Sequence, residues 1–332
     1  MSLPILISVI IPAYNIDQYL AETLDSVLAQ TYSHFEIVIV NDGSTDRTLE
    51  IAQEYAAKDD RIRVISQPNQ GVSLARNHGI RETTGEFVAF LDGDDRWHPN
   101  KLNAHIHHFQ SFGQNAKSDT KSTEMKSLGM SFAKVAFIAS DGSYTKQYSN
   151  SKLTNLNPED FYIENPVVTP SNVVIRRSTL DVVGYFSPQL NGSADQELFF
   201  RVVWSGAIAE GLDTVLAEYR TLEESMSANL YHMEENWQLL NRCIEVYAPS
   251  LVKHHYNRAY AYFLRYLARR GIRVRAKPQQ TQAFIWRAIC QDRSLLFTEP
   301  KRTLATLLFA YLPSLSLKDF LSTLMSRFIV SQ

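Results

Sequence analysis

The chain has 332 residues, of which 45% are hydrophobic and 20% charged, and its formal net charge is −2 at pH 7. This composition suits a globular protein with a catalytic domain of about 220 residues and a smaller appended region. A net charge near zero argues against a nucleic-acid-binding protein as a whole. Cys243 and Cys290 are isolated in the sequence, so neither a disulfide framework nor a cysteine zinc site is indicated, and a reducing compartment is favoured.

No segment of the chain predicts insertion into a membrane. Residues 1–5 carry no basic side chain and run directly into a predicted strand, unlike a secretory signal peptide. No apolar run reaches the roughly 18 residues that a membrane-spanning helix requires. We therefore expect a cytoplasmic protein, with peripheral contact at the inner face of the membrane as a further candidate location.

The first two predicted strands are each followed by a polar loop and a helix. Residues 7–11 and 35–40 are apolar, β-branched runs that are typical of buried strands. The first leads into a loop at residues 12–15, and the second into an acidic, glycine-containing turn that starts at Asn41. Apolar residues at helical spacing follow each loop, and Asp46 is the predicted N-cap of the second helix.

A third predicted strand ends in three carboxylates within four positions. Residues 87–91 form an apolar run bounded by glycines, and Asp92, Asp94 and Asp95 follow it. A turn at Gly93 lets two carboxylates converge on one hard divalent ion, which keeps open positions for phosphate oxygens. The alternative is an acidic turn in water, because Asp-Gly pairs are common turn formers.

The loops after these three strands are expected at one edge of a parallel sheet, where such folds bind nucleotides. Asp42, at the end of the second strand, has a short side chain that only accepts hydrogen bonds when it is ionised. It therefore suits a donor group on a base or a ribose hydroxyl. A carboxylate at a second strand end favours a ligand site over an acidic turn in water.

Four ordered motifs resemble the successive signatures of family 2 glycosyltransferases. They are Ser8-Val9-Ile10-Ile11-Pro12-Ala13-Tyr14-Asn15, Val40-Asn41-Asp42-Gly43-Ser44-Thr45-Asp46, Asn69-Gln70-Gly71-Val72-Ser73-Leu74-Ala75-Arg76-Asn77-His78-Gly79 and Phe90-Leu91-Asp92-Gly93-Asp94-Asp95. Four motifs in order are far more specific than any one of them. A weaker resemblance continues from Pro166 to Arg220, so that roughly two thirds of the chain is covered.

The resemblance implies a GT-A fold, an α/β fold in which a mostly parallel, Rossmann-like sheet is flanked by helices, here with a C-terminal helical extension. It also implies inverting transfer from a nucleotide-diphosphate sugar, with a UDP-sugar favoured, to a saccharide or lipid-linked acceptor in surface glycan synthesis. Asp92 and Asp94 would be the DxD pair around Mn²⁺ or Mg²⁺, which stabilises charge on the departing diphosphate. The residues expected to bind the nucleotide are Pro12, Ala13, Tyr14, Asn15, Asp42, Arg76, Asp92 and Gly93.

The resemblance places the catalytic base at the start of a later helix. The family has a Glu-Asp pair there; in this chain Asp195 occupies the aspartate position and Ala194 replaces the glutamate. A free aspartate with a pKa of about 3.9 is a weak base at neutral pH, so its surroundings would have to raise the pKa. The alternatives are that Asp195 only caps the helix, or that Glu197 is the base.

A second departure from the family follows Tyr219 and Arg220. Family members often carry Tyr-Arg-x-His at this point, but this chain has Leu222 where the histidine stands. Arg220 is therefore the expected contact to the diphosphate, together with polar residues at 225–229. These two departures leave a second hypothesis open, that the chain is a catalytically impaired protein that binds nucleotide sugars. A sugar-nucleotide pyrophosphorylase is a third hypothesis, although its Gly-rich, Arg-containing loop is not matched by residues 12–15.

The rest of the chain predicts amphipathic helices. We predict a catalytic domain over residues 1–232, with a nucleotide-binding half at about 1–110 and an acceptor half at about 128–232, and a helical region over 233–332. Residues at helical spacing include Tyr256, Tyr260, Phe263, Leu267, Leu317, Phe320, Leu324 and Phe328, with Arg258, Arg265 and Arg269 on a different side of the first of these helices. Such helices are candidates for peripheral membrane contact or a homo-oligomer, and more often they pack on the catalytic domain.

Processive members of the family carry Gln-x-x-Arg-Trp, which is absent, so a non-processive enzyme is expected.

Three histidines in the helical pattern of residues 98–109 invite a metal hypothesis. His105, His107 and His108 lack both the i, i+4 pair of a zinc helix and a matched carboxylate. We therefore expect them to form a solvated helix face.

Overall fold

The computed structural model describes residues 4–115, 127–190, 192–222 and 229–312. The predicted polar contacts at 225–228 and the apolar pattern at 317–328 lie outside the described residues. The chain divides into two compact units, Met1–Phe161 with Asn165–Leu222, and Tyr162–Glu164 with Glu223–Gln332. Within the described ranges, no helix is long and apolar enough to cross a membrane.

The first unit is built around strands that alternate with helices. The strands are β1 (Ile7–Ala13), β2 (Phe35–Asn41), β3 (Ile62–Ser66), β4 (Phe87–Phe90), β5 (Arg96–Trp97), β6 (Leu128–Ile138), β7 (Tyr144–Tyr148), β8 (Val174–Arg176) and β9 (Ile208–Arg220). The helices are α1 (Asp17–Leu28), α2 (Thr48–Ala56), α3 (Val72–Arg81), α4 (Lys101–Asn115), α5 (Pro158–Ile163) at the boundary between the units, a 3₁₀ helix at Pro170–Asn172, α6 (Arg177–Val183) and α7 (Ala194–Trp204). Asp46 lies two residues before α2, and its Oδ1 accepts a hydrogen bond from the Thr48 amide at 3.0 Å.

These strands form one sheet in the order β3-β2-β1-β4-β8-β6-β9-β5, with β7 paired to β6. The strands β3, β2, β1 and β4 are parallel, and Ala13 stands opposite Asn41 while Ile10 stands opposite Phe90. β8 is antiparallel to β4 and β6, whereas β9 is parallel to β6. The carboxyl ends of β1, β2 and β4 therefore lie at one edge of the sheet, which confirms the predicted grouping of their loops.

The central strands owe their continuous apolar sequences to burial on both faces. Every residue of β1 and β4 is buried, which explains why neither strand alternates apolar with polar residues. Helix α3 packs closely on this sheet, because a Cβ atom at Gly79 would meet Ile10 Cγ2 at 2.5 Å. A larger residue at position 79 would push α3, and with it Arg76, away from the strand ends.

The second unit is helical in its described part. Its helices are α8 (Leu230–Tyr247), α9 (Pro249–Arg273), α10 (Pro278–Gln291), α11 (Leu295–Thr298) and α12 (Pro300–Tyr311). Trp237, 2% exposed, stacks on Tyr260 and Phe263 of α9 with ring centroids 5.0 and 5.2 Å apart. The apolar spacing along α9 is confirmed. Arg265 of α9 is 2% exposed and forms an ion pair with Glu299 at 2.9 Å.

The prediction of a solvated histidine face on α4 is wrong for two of the three histidines. His107 is exposed, but His105 and His108 are buried, and both ring Nδ1 atoms lie within 2.8 Å of Ser131 Oγ. His105 Nε2 lies 3.1 Å from the ammonium of Lys101. The helical spacing of α4 turns these polar groups toward β6, so they form a buried hydrogen-bonded chain.

Candidate active site

The acidic turn after β4 is held rigidly against α1. The Asp95 amide donates to the Asp92 carbonyl at 3.0 Å and closes the turn. A Cβ atom at Gly93 would lie 2.0 Å from Ile16 Cδ1, so a larger residue there would displace the end of the Ile16 side chain. The Thr23 hydroxyl donates to the carbonyls of Gly93 and Asp95 at 2.9 and 2.8 Å.

The turn brings Asp92 and Asp94 into electrostatic contact. Asp92 forms an ion pair with Arg76 and keeps a quarter of its side chain exposed. Burial, with the negative charge of Asp92 as a second cause, raises the pKa of Asp94 to about 6. Two neighbouring carboxylates repel each other when both are ionised. A divalent cation that binds oxygen ligands would relieve this repulsion. The residues therefore fit the expected cation.

At this turn, the described part of the chain offers a metal ion two carboxylates, those of Asp92 and Asp94. No group of three or more His, Cys, Asp and Glu side chains is placed to hold a metal within the described residues. A cation bound by Asp92 and Asp94 would therefore take its further ligands from a bound phosphate or from water.

Asp95 is the site residue to which the sequence assigned no role. Its carboxylate is fully buried and accepts hydrogen bonds from Ser171 Oγ at 2.5 Å and the Arg220 amide at 2.8 Å. Ser171 Oγ in turn accepts the Asp92 amide at 3.0 Å. Burial, and then the charges of Asp94 and Asp92, raise the pKa of Asp95 well above its usual value. Asp95 thus ties the acidic turn to the 3₁₀ helix and to the end of β9.

Asp42 is bound to the loop that leads into α3. Oδ1 accepts hydrogen bonds from Gln67 Nε2 at 2.7 Å and from the Gln70 amide at 2.9 Å, and Oδ2 accepts the Gly71 amide at 2.8 Å. The side chain is buried, at 3% exposure. Binding of the nucleoside by Asp42 stays a prediction, and the structure adds that Asp42 shapes the loop before Arg76.

The loop after β1 is shorter than predicted. Pro12 and Ala13 are the last residues of β1 and are buried, so the predicted start of the loop at Pro12 is corrected to Tyr14, and the binding of the nucleotide by residues 12–15 stays a prediction. Tyr14 is 48% exposed and offers an aromatic face to a ligand. Asn15 adopts a φ of 50°, which Asn tolerates better than most residues, and its Oδ1 accepts the Thr45 amide at 2.8 Å.

Arg76 lies near two other predicted site residues, Asp92 and Asp195. It is 6% exposed, pairs with Asp92 and places its guanidinium 5.2 Å from the centre of the Phe186 ring. Its Nε is buried without a hydrogen-bond partner among the described residues. A buried, unsatisfied guanidinium nitrogen is unusual.

Asp195 lies in the first turn of α7, within the electrostatic reach of Arg76 and Asp92. Burial raises its pKa, the charge of Arg76 opposes this shift, and the charge of Asp92 adds to it. The N-cap residue of α7 is Ser193, so Asp195 is not the capping residue. Ala194 is 3% exposed, and the position of the family glutamate is packed into the protein here.

Glu197, the alternative base, is occupied by an ion pair. Its two carboxylate oxygens accept hydrogen bonds from Arg201 Nε and Nη2 at 2.8 and 2.7 Å. Arg201 also donates to the carbonyls of Val183 and Tyr185. Glu197 therefore fastens α7 to the end of α6 through Arg201, and the assignment of the base to Asp195 stays a prediction.

Arg220 has protein partners for most of its donors. It is 3% exposed, and its guanidinium donates to the Asp94 carbonyl at 2.7 Å, the Ser140 carbonyl at 3.0 Å and the Glu22 carboxylate. It also stacks over Tyr19 at 4.8 Å. Arg220 thus supports the acidic turn through the Asp94 carbonyl, and its contact with the diphosphate stays a prediction.

Comparison with known proteins identifies the chain. The sequence model of glycosyl transferase family 2 matches residues 8–184, which contain the three strand-end loops and Arg76. This chain belongs to glycosyl transferase family 2. A Bacillus subtilis protein named for teichuronic acid biosynthesis, TuaG, is 30% identical over 241 residues, 72% of this chain and 88% of TuaG. The B. subtilis glycosyltransferase EpsJ is 52% identical over 90 residues, which cover 27% of this chain and 26% of EpsJ.

Solved structures confirm the GT-A fold of this glycosyltransferase. Residues 1–349 of S. aureus TarS, in complex with UDP-GlcNAc, match with a TM-score of 0.59 and 20% identity over 86% of this chain and 88% of that one. The mannosyltransferase PcManGT from Pyrobaculum calidifontis, in complex with GDP-Man and Mn²⁺, matches with a TM-score of 0.56 and 17% identity. That match covers 92% of this chain and 86% of PcManGT.

Proposed function

We propose that this glycosyltransferase is inverting and metal-dependent, and that it moves a sugar from a nucleotide-diphosphate sugar to a saccharide or lipid-linked acceptor. The observation that carries the proposal is the convergence of Arg76, Asp92 and Asp195 from three separate segments at the carboxyl edge of the sheet. We assign residues 1–232 to the catalytic domain and residues 233–332 to an appended helical region.

Asp195 would act as the general base. Its carboxylate accepts the proton of an acceptor hydroxyl while that oxygen forms a bond to the anomeric carbon. The bond from the anomeric carbon to the diphosphate oxygen breaks on the opposite side, and its electron pair stays with the nucleoside diphosphate. The raised pKa of Asp195 supports this role, because a base works best when its pKa approaches the working pH.

The remaining residues would hold the donor. Arg76 offers its buried Nε and a positive charge to the phosphates, and Tyr14 offers an exposed ring to the base. Asp92 and Asp94 would hold Mn²⁺ or Mg²⁺, which when bound stabilises negative charge on the departing diphosphate. Asp95 and Arg220 would keep this acidic turn in place.

A UDP-sugar is the favoured donor, and a surface polysaccharide or its lipid-linked precursor the favoured acceptor. The TarS structure contains UDP-GlcNAc, whereas the PcManGT structure contains GDP-Man, so both bases occur among proteins of this fold. The similarity to TuaG, a protein named for teichuronic acid biosynthesis, supports an acceptor in surface glycan synthesis.

The testing experiment is a donor panel followed by analysis of the product. UDP-, GDP-, dTDP- and CMP-sugars are offered with Mn²⁺, with Mg²⁺ and with a chelator, and the anomeric configuration of the product is read by proton NMR. We expect metal-dependent transfer with inversion. Retention of configuration would exclude the mechanism, and tight donor binding without any turnover would favour a catalytically impaired binding protein, the hypothesis that Ala194 and Leu222 keep open.

A further inference from the structure

The last described helix is apolar on the side that faces away from its own unit. The outer residues of α12 and of the turn that follows are Lys301, Leu304, Ala305, Leu308, Phe309 and Leu312, and all six are exposed. Leu304, Phe309 and Leu312 are each more than half exposed, and Phe297 in α11 is 83% exposed. The opposite side of α12, with Thr303, Thr306, Leu307, Ala310 and Tyr311, is buried.

A helix with apolar residues on both sides differs from an ordinary surface helix, whose outer side is polar. Contiguous exposed apolar groups mark surfaces that are covered by a partner or a membrane. We call Leu304, Ala305, Leu308, Phe309 and Leu312 the outer face of α12.

A cluster of arginines lies beside the first turn of α12. Arg302 belongs to that turn, and Arg265 of α9 bonds to Thr303 Oγ1 at 3.2 Å. Burial lowers the pKa of Arg269, as do the positive charges of Arg302, Arg273 and Arg265, against a smaller opposing effect of Glu164. The guanidinium of Arg269 thus lies among like charges.

The charges of this cluster are unevenly balanced. Arg302 pairs with Glu164 and Glu299, and Arg265 pairs with Glu299. Arg269 has neither a hydrogen bond nor an ion pair with any residue in the described part of the chain. A partly buried, unpaired guanidinium among other arginines is suited to a phosphate group.

The charge of the whole helical region points the same way. Residues 233–332 contain 15 basic and 6 acidic residues, a net charge of +9, whereas residues 1–232 contain 18 basic and 29 acidic residues, a net charge of −11. The near-zero net charge of the chain therefore conceals two regions of opposite sign. Such asymmetry is typical of proteins that bind an anionic surface.

We infer that the helical region binds the surface of an anionic phospholipid bilayer, with the outer face of α12 in the headgroup–acyl boundary and the arginines around Arg269 on lipid phosphates. A bilayer satisfies both observations at once, because it supplies apolar chains and phosphates within one thin layer. A symmetric dimer through this face would bring two strongly basic regions together. A nucleic acid would neutralise the arginines and leave the outer face in water.

The test is flotation of the full chain with vesicles of two compositions, phosphatidylcholine alone and phosphatidylcholine mixed with phosphatidylglycerol. We expect binding to the mixed vesicles to exceed binding to the neutral ones by at least about tenfold, and to weaken when the salt concentration is raised. Equal binding to both vesicles, or no binding, would overturn the inference.

Two pairs of variants assign the binding to the proposed surface. Leu304→Ser with Leu308→Ser should reduce binding to mixed vesicles about tenfold or more. Val246→Ser, which alters an 84% exposed apolar side chain of α8, is the matched control and should bind as wild type does. Arg269→Gln should reduce binding roughly fivefold, and more than Arg258→Gln, which removes an equal charge from an exposed position on the same helix.

A variant enters the comparison only if its circular dichroism spectrum and melting temperature match those of the wild type. Reductions of equal size in Arg269→Gln and Arg258→Gln would show that net charge, and not the cluster, attracts the lipid, and would overturn the arginine part of the inference. Vesicle binding that survives Leu304→Ser with Leu308→Ser would overturn the apolar part. A concentration-dependent dimer that these two substitutions abolish, without vesicle binding, would assign the face to a second copy of the chain.

Discussion

The two units of this glycosyltransferase hold their buried carboxylates differently. In the first unit, Asp94, Asp95 and Asp195 are held where burial raises their pKa values. In the second unit, burial alone would raise the pKa of Glu234, but hydrogen bonds from Arg287 and Tyr260 lower it. Because an inadequately paired buried charge costs stability, its persistence at one edge of the first unit supports the ligand site that we propose there.

The cores differ in the same sense. Beside its sheet the first unit buries Lys101 and His105, which contact each other. The second unit buries Arg265 in an ion pair with Glu299, and its described helices centre on the aromatic stack around Trp237. We therefore expect substitutions at the sheet edge to change activity more than stability, and substitutions in the aromatic stack to do the reverse. The predictions below test this contrast.

The largest effect is expected for Asp195→Asn. This change keeps the size of the side chain but removes the proton acceptor, so transfer to acceptor should fall by about 10²–10⁴ with donor affinity close to wild type. The melting temperature should equal or exceed that of wild type, because burial raises the pKa of Asp195 and the asparagine cannot ionise. Steady-state transfer rates, donor calorimetry and thermal melts provide the measurement. Glu197→Gln is the matched control: it weakens the ion pair with Arg201, so it should lower stability and leave the turnover of the folded enzyme nearly unchanged. Near-wild-type transfer by Asp195→Asn would require another base.

Trp237→Ala should have the largest effect on stability. Removing a large, fully buried aromatic ring from a stack costs about 3–5 kcal/mol of unfolding free energy. Urea unfolding followed by circular dichroism at the helical band measures this loss. Trp204→Ala, which removes a 42% exposed ring stacked on Phe200, is the control and should cost much less. Equal losses in the two variants would contradict the assignment of Trp237 to the core of the helical unit.

Asp94→Asn should stabilise the metal-free protein while it weakens metal-dependent donor binding. The folded pKa of Asp94 is about 6, above the unfolded value of about 3.9. Between these values the folded state holds a proton that the unfolded state has lost, so stability falls as pH rises from about 4 to about 6, by up to about 3 kcal/mol. The asparagine cannot ionise and avoids this loss.

Melting curves between acid and neutral pH, in the presence of a chelator, test this prediction. Asp94→Asn and wild type should melt alike near pH 4, diverge between about pH 4 and about pH 6, and keep a constant difference above that range, with the variant more stable. Adding Mn²⁺ and donor at neutral pH should then raise the melting temperature of the wild type more than that of the variant. A variant that is less stable than wild type at neutral pH would show that Asp94 is adequately paired in the folded protein.

The smallest effect is expected for Asp42→Asn. The amide keeps one acceptor oxygen, so it preserves part of the hydrogen bonding to Gln67, Gln70 and Gly71 and loses the charge. Nucleotide affinity should fall by about 1–3 kcal/mol, measured by calorimetry with UDP. If affinity stays the same while the melting temperature drops, Asp42 organises its loop without touching the nucleotide.

The sequence by itself determined the local elements of the catalytic unit. Continuous apolar runs predicted β1, β2 and β4, and the polar, glycine-containing segments after them placed Asp42, Asp92 and Asp94 at strand ends. These are short-range features, set by strand burial and turn chemistry. The order of the motifs then identified the family and its fold, which the comparisons confirm.

Only the tertiary structure decided which side chains pair. Ser171 and Asp95 are 76 residues apart, and Arg220 and Asp94 are 126 residues apart, so no local pattern could show that these residues support the acidic turn. The pair of Glu197 and Arg201 is the exception, because two opposite charges four residues apart on one helix form a pattern that the sequence itself displays. Which side of a helix is covered also depends on its neighbours in space. His105 and His108 therefore lie on the buried side of α4, whereas the outer face of α12 is exposed.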